Sequence, residues 1–374
     1  MKKNAKILIE GDYIDSFVYS GVLFLVTSDL ILRAFSWDGL FKHAISNINQ
    51  LKKIGIQDYA RGLNDSIPDQ IRKTYSISYK KIKDFELCST ELNVWPSDIN
   101  IYKNRFYVAS ECGVDSIDFD WNDGLISKFG RPNKIFNEVS FKLATNSFYR
   151  LAIAAGNSGL ISVVPDQKYV KKQNVNQLID KPCSDCQWQN NTLIANTLNA
   201  QYYASYLSIP KKIDFNGTDS EYWAKVDQIK KAAPSLESQS DINGEKIVSS
   251  WFAGKNIFNI TESMNVYLRM FGSNNIEFVD TKSEISTLQY FKAQTAPFGT
   301  VMEIGDELKY FSDTEESRIL ANEVVNWRLF QKSKYYLNHL HLIEDDSLSI
   351  VLFDMPKESH FNKFCYSKTF DIEE

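Results

Sequence analysis

Short runs of alternating apolar and polar residues recur along the chain, separated by polar turns of two or three residues. A period of two puts every second side chain on one face of a strand, so each run reads as a half-buried strand. The first unit runs 13–19, 22–27 and 30–37, and Asp38-Gly39 then turns the chain into 40–43. The second runs 98–102, 105–110, 114–121 and 125–129, with turns at 103–104, 112–113 and 122–124. The third runs 139–145, 148–155 and 160–164, with turns at 146–147 and 157–159. Strands of this length on such short turns are antiparallel hairpins. Consecutive hairpins make a four-stranded meander, and a meander repeating at about 40 residues is the blade of a β-propeller.

Weaker copies follow at 186–207, 247–279, 291–311 and 327–355. The pattern predicts an all-β fold, one propeller of seven four-stranded blades over 1–374. The stretch 312–325 fits a helix as well as a strand, because Ile319, Leu320 and Glu323 suit both spacings. Residues 6–10 and 369–372 are rival candidates to complete the last blade.

Three segments carry a family resemblance: Leu25-Val-Thr-Ser-Asp-Leu-Ile-Leu-Arg-Ala-Phe-Ser-Trp37, Val108-Ala-Ser-Glu-Cys-Gly-Val-Asp-Ser-Ile-Asp-Phe-Asp-Trp121 and Ile153-Ala-Ala-Gly-Asn-Ser-Gly-Leu-Ile-Ser-Val-Val164. Each resembles the central hairpin of a WD40-like propeller: small residues, a polar turn, then an alternating strand. Trp37-Asp38 is a single match to that family's closing dipeptide, and its Gly-His dipeptide does not recur. The resemblance implies the fold and no particular activity.

Two long insertions interrupt the repeat, 44–96 between blades 1 and 2 and 210–246 between blades 4 and 5. Let the strands of a blade be A to D from the centre outward. The D-to-A links and B-to-C turns then share one face of the disc, and the A-to-B turns and C-to-D links share the other. Both insertions are expected on the first of these, the D-to-A face. In the first, Ile45, Ile48 and Leu51 suggest a short amphipathic helix, and Lys52, Lys53, Arg72, Lys73, Lys80 and Lys81 make the segment basic. In the second, Thr218-Asp219-Ser220-Glu221 is a capping box. Tyr222, Trp223, Val226 and Ile229 follow as one helical stripe, ended by Pro234.

A chain of 374 residues with 43% hydrophobic residues can build a substantial core. The net charge of -5 argues against a global attraction to nucleic acid, which leaves the basic insertion as the only place for one. Five scattered cysteines do not form a secreted disulfide framework. No signal-peptide stretch and no run of about 18 apolar residues is present, so a cytoplasmic protein with no membrane partner is expected.

Catalytic motifs are missing. Cys183-Ser-Asp-Cys186 lacks the second ligand pair of a structural zinc site and reads as the start of an inner strand. His339 and His341 share one face of a strand without a third ligand, and read as half-buried strand histidines; His43 and His360 stand alone. Asp118 to Gly124 resembles a calcium loop with its glycine misplaced, and reads as a hairpin turn echoed at Asp38-Gly39. No phosphate loop or nucleophile elbow occurs, so no catalytic residue, metal or cofactor is assigned. Asp15, Asp98 and Asp185 recur near the start of strand A, where they would ring the channel mouth. Asp29, Glu111, Asp306, Glu307, Asp345 and Asp346 fall in B-to-C turns on the same face. The expectation is a non-enzymatic scaffold, a subunit of a larger complex, that holds a protein partner on this face through Asp15, Asp29, Asp98, Asp185, Asp306, Asp345 and Trp223. The alternatives are a ligand-binding or hydrolytic propeller using its channel, and a nucleic-acid-associated subunit using 52–83.

Overall fold

The computed structural model describes residues 4–46, 56–62, 66–122, 124–146, 150–164, 174–270, 275–279, 291–312, 316–333 and 335–355. Seven sheets form. In blade 1, strands A to D are Tyr13–Tyr19, Val22–Thr27, Ile31–Ser36 and Glu86–Glu91. Blade 2 is Pro96–Tyr102, Arg105–Ser110 and Gly113–Asn122, with an outer strand in two pieces, Leu125–Phe129 and Asn133–Phe136. Blade 3 is Lys142–Thr145, Leu151–Ala154, Leu160–Val164 and Asn174–Ile179; blade 4 is Cys183–Gln189, Thr192–Thr197, Gln201–Ser205 and Ser235–Gln239. Blade 5 is Glu245–Ala253, Asn256–Thr261, Val266–Met270 and Ile276–Val279, with Asp241–Ile242 added at its inner start. Blade 6 is Phe291–Ala296, Gly299–Ile304, Glu307–Phe311 and Arg318–Asn322. Each inner strand touches the next, and the last touches the first, which closes a seven-membered ring.

The closing blade takes strands from both ends of the chain. Asn326–Leu329, His339–Glu344 and Ser347–Leu352 are its strands A to C, and Ala5–Glu10 is its strand D. Ala5 pairs with Leu352 and the register runs without a slip to Glu10 opposite Ser347. The pattern in this strand sets that register: Ala5, Ile7 and Ile9 point into the core while Lys6, Leu8 and Glu10 do not. Of the two rival segments, 369–372 lies outside the described residues, as do His360, Lys52, Lys53, Ile48 and Leu51.

Two elements depart from the sequence reading, and one that was open between helix and strand is decided. Residues 40–43 are not a strand, because Trp37–Ala44 is a helix. Ser36 caps it by accepting the Gly39 N–H, Asp38 sits in its first turn, and Lys42 and His43 in its last. Trp37, Leu40 and Phe41 have i, i+3, i+4 spacing and are all buried. The strand reading failed here because Leu40 and Phe41 are adjacent apolar residues, which complete a helical stripe with Trp37 and do not alternate. In the stretch open to either reading, Arg318–Asn322 is a strand.

The second departure moves both insertions. Strand D of blade 1 is Glu86–Glu91 and strand D of blade 4 is Ser235–Gln239. Each insertion therefore lies inside a blade, between strands C and D, and not between blades. The two do share a face, but it is the face of the A-to-B turns. We call this the insertion face and the opposite one the turn face.

The first insertion clasps the closing joint. Its strand Thr74–Ile77 runs parallel to Ala5–Glu10 and adds a fifth strand to blade 7. Trp37, Leu40, Phe41, Ile67, Ile71 and Ile77 share one apolar cluster with Ile7, Ile9, Phe330 and Tyr336. The Trp37 Nε1–H donates to Ala60 O at 2.8 Å, and Arg72 reaches Asp354 at 2.6 Å. In the second insertion the capping box forms at Thr218 and Glu221 and opens helix Asp219–Lys231. Tyr222, Val226 and Ile229 are buried beneath it. Trp223 leaves the stripe, since one residue turns it about 100° from Tyr222, and it is 58% exposed.

Candidate functional site

The channel mouth is built at the third residue of the inner strands. Asp15, Asp98, Asp185 and Arg328 all hold that position, in blades 1, 2, 4 and 7. In blades 1, 2 and 4 a register shift falls between the first and third residues, at Tyr13/Asp15, Pro96/Asp98 and Cys183/Asp185. Such a bulge re-aims the side chain that follows it. Asp15 turns back to accept the Ser16 N–H at 2.7 Å, and Asp98 crosses to blade 3 to accept the Leu143 N–H at 2.9 Å.

The aspartates do not make an acidic ring. Arg328 Nη2 donates to Asp15 Oδ2 and to Asp98 Oδ1, both at 2.9 Å, and Lys142 Nζ lies 3.3 Å from Asp98 Oδ1. Four blades are thereby tied through one ion cluster. Burial works to raise both carboxyl groups. At Asp98 the Lys142 and Arg328 charges outweigh it and hold the group below the ordinary carboxylate range. At Asp15 burial prevails, aided by the Asp98 charge, and the group sits above that range. Asp185 is half-buried and accepts from Asn196 Nδ2 at 2.8 Å. Arg328 and Lys142 went unread in the sequence, although Arg328 occupies the repeat position of the three aspartates.

Other polar side chains join the inner strands around the ring. Asn100 donates to Leu143 O, Gln294 accepts the Leu329 N–H and Asn326 donates to Ile14 O. Inner strands are sheet edges, and these side chains bind backbone groups that have no ladder partner there. Lys292 donates to Trp327 O at 3.1 Å and lies over the Trp327 ring; desolvation brings its amine down to about 8. Lys332 still reaches solvent, yet the surrounding protein lowers it to about 7 by desolvation, and it donates to Thr145 O.

The remaining candidates resolve as structural. Cys183 and Cys186 are buried free thiols at the start of an inner strand, and burial pushes Cys183 up to about 12. His339 and His341 are fully buried, not half-buried. His341 Nδ1 meets Ser16 Oγ at 2.9 Å, and His339 lies edge-on to Trp37 and Tyr336. Burial is the main cause that holds His339 down near 3 and His341 well below the ordinary range. The unfolded chain protonates these groups near 6.5 and the folded chain does not, so their contribution is intact above that value and falls away below it. We predict acid lability of about 2 kcal/mol at pH 5 for a histidine with a folded value near 3. Urea midpoints at pH 7.5 and pH 5 check it: His339→Phe should flatten the slope, and an unchanged slope refutes the assignment.

The basic insertion is largely engaged by its own protein. Arg72 pairs with Asp69 and Asp354, Lys81 with Asp84, and Lys73 lies over the Tyr75 ring. Lys80 is exposed. Trp223 projects from the insertion face. Asp29, Asp306 and Asp345 are exposed on the turn face. The residues read as one partner site are thus dispersed: three in the channel, three on turns, and one on the opposite face.

The turn face has a second character that the sequence reading missed. Trp95, Val139, Phe141 and Val325 lie exposed on its D-to-A links, and Leu198 on a B-to-C turn is 77% exposed. A groove of about 480 Å³ opens beside Leu198, between blades 3, 4 and 5, lined by Pro182, Cys183, Asn196, Val248 and Glu262 among others.

No family model matches this chain, and no curated protein matches it. Solved structures do resemble it. A chain from the crystal structure of the mitotic checkpoint complex superposes with a TM-score of 0.50 at 10% identity, over 94% of this chain and 90% of that one. PorZ, a surface component of the type-IX secretion system of Porphyromonas gingivalis, gives 0.51 at 11% identity, over 95% of this chain and 39% of that one. At such identity the likeness is one of fold, and it agrees with the WD40-like resemblance of the three hairpins. Among the described residues no metal-ligand cluster is present, and no helix is long and apolar enough to cross a membrane.

Proposed function

We propose that this protein is a non-catalytic scaffold that holds a protein partner on its turn face. The observation that carries the reading is the row of exposed apolar side chains, Trp95, Val139, Phe141, Leu198 and Val325, on the links and turns of that face. Leu207, Ile213 and Trp223 are exposed on the insertion face too, so it is the acidic turns beside the apolar links that favour the turn face. The ion cluster in the channel supports the reading from the other side. Its carboxylates and cations satisfy one another, which suits a keystone better than a reaction centre. One solved neighbour of the fold comes from a multiprotein complex. The four cysteines among the described residues are free, which suits a reducing, cytoplasmic setting.

Lysine crosslinking in the native host, read by mass spectrometry, tests the proposal. Partner crosslinks are expected through Lys181 and Lys246 on the turn face. Crosslinks confined to Lys212 and Lys225, in the second insertion, would reverse the face.

A further inference from the structure

We infer that the groove between blades 3, 4 and 5 seats an extended partner segment in which one large apolar side chain is flanked by lysine or arginine. The inference rests on the turn-face reading above and adds the chemistry of the partner.

Three observations carry it. First, the groove continues an apolar strip. Phe141, 46% exposed, packs against Gly156, where any Cβ would come within 2.7 Å of its ring. Gly156 lines the groove, and Leu198 and Val248 line it too. Phe141 thus adjoins the groove through Gly156, and Pro182, Leu198 and Val248 give it apolar wall among the polar Asn157, Ser184, Asn196 and Thr197. The volume of about 480 Å³ falls within the range of ligand-binding clefts, about 300–1,000 Å³.

Second, the walls are held before anything binds. Asn196 donates to Asp185 and to Ser250 O, and accepts the Ser250 N–H at 2.9 Å. Thr197 Oγ1 donates to Ala200 O at 2.6 Å. The Gly156 and Cys183 backbones exchange hydrogen bonds across the blade 3–4 boundary at 2.9 and 3.0 Å. A site already rigid loses little ordering entropy on binding.

Third, the surroundings are acidic. The B-to-C turns of blades 1, 2, 5, 6 and 7 carry Asp29, Glu111, Glu262, Asp306 and the pair Asp345-Asp346. No B-to-C turn carries lysine, arginine or histidine. The two turns without an acid belong to blades 3 and 4 and present Asn157 and Leu198 to the groove. The groove wall itself carries one charge of each sign, Lys246 and Glu262, so the negative field comes from the surrounding turns; an apolar seat within it selects an apolar anchor with basic flanks.

The test uses the full chain and an array of nine-residue peptides. Each peptide has one central residue, Leu, Trp, Ser or Asp, between flanks of lysine or of glutamate. Binding is measured by fluorescence anisotropy in 150 mM salt. Leu- and Trp-centred peptides with lysine flanks should bind at least tenfold more tightly than the other peptides. Leu198→Asp and Val248→Asp should weaken that binding tenfold or more with unchanged Tm, and Ile213→Ser, 91% exposed in the second insertion on the opposite face, should not affect it. Equal binding of Ser-centred lysine peptides, or indifference to Leu198→Asp, leaves only a diffuse charge effect and overturns the seat. A preference for glutamate flanks overturns it as well. The crosslinking result is read separately: turn-face crosslinks with no peptide selectivity would retain the face and remove the groove.

Discussion

Ile7→Asp together with Ile9→Asp is expected to abolish cooperative folding at 25 °C. Both side chains are fully buried in the cluster that joins blade 7, blade 1 and the first insertion. Truncating one such residue to alanine costs about 2–5 kcal/mol, and an aspartate adds the cost of a charge in an apolar site. Two of them exceed much of the 5–15 kcal/mol that holds a typical domain together. The position makes the loss global. Strand Ala5–Glu10 leads along the chain from blade 7's outer edge into blade 1, and the parallel strand Thr74–Ile77 is laid on it. Without it the clasp has no edge to pair with. Urea unfolding followed by tryptophan fluorescence reads the effect. Lys6→Glu, on the outer face of the same strand, serves as a control and should move stability by less than about 1 kcal/mol. A double variant within that margin of the native protein would show that the ring closes without this strand.

Arg328→Met is expected to cost about 3–5 kcal/mol, because it strands buried carboxylates while leaving the apolar volume nearly unchanged. The loss should fall unevenly. Asp98 keeps Lys142 at 3.3 Å and the Leu143 N–H at 2.9 Å. Asp15 keeps only the adjacent Ser16 N–H among the hydrogen bonds and ion pairs described for it. Adding Asp15→Asn to Arg328→Met should therefore recover more stability than adding Asp98→Asn. Equal recovery, or none from either, would show that the cluster is not partitioned in this way. The same experiment bears on function. A channel that tolerates neutralisation and still recovers its partner is a keystone and not a binding site.

The two insertions show where local pattern stops informing. The capping box at Thr218 was legible because every group it needs lies within four residues. Trp223 was misplaced by a single step of the helix, since Tyr222 and Trp223 are equally apolar and only packing against the disc separates them. The Asp38-Gly39 pair reads as a turn by composition, but Ser36 and the buried Trp37 convert it into a helix start. The recurring aspartates were visible at the right positions. Their partners were not, because Arg328 lies 313 residues from Asp15 and 230 from Asp98, and no local pattern couples such positions.

By itself the sequence determined most of the inner strands, their repeat as hairpins and an expected seven blades. These follow from a period of two and from turn chemistry, both of which act within about ten residues. The tertiary structure decided which outer strand completes a blade, and with it the face on which each insertion emerges. Glu86–Glu91 and Ser235–Gln239 are partly exposed and carry little alternation, because an outer strand packs few of its side chains. Their place is set by backbone pairing with Ile31–Ser36 and Gln201–Ser205, a contact between distant segments that any polar strand could make. That pairing sends the insertions to one face and leaves the acidic turns, the exposed apolar links and the groove together on the other.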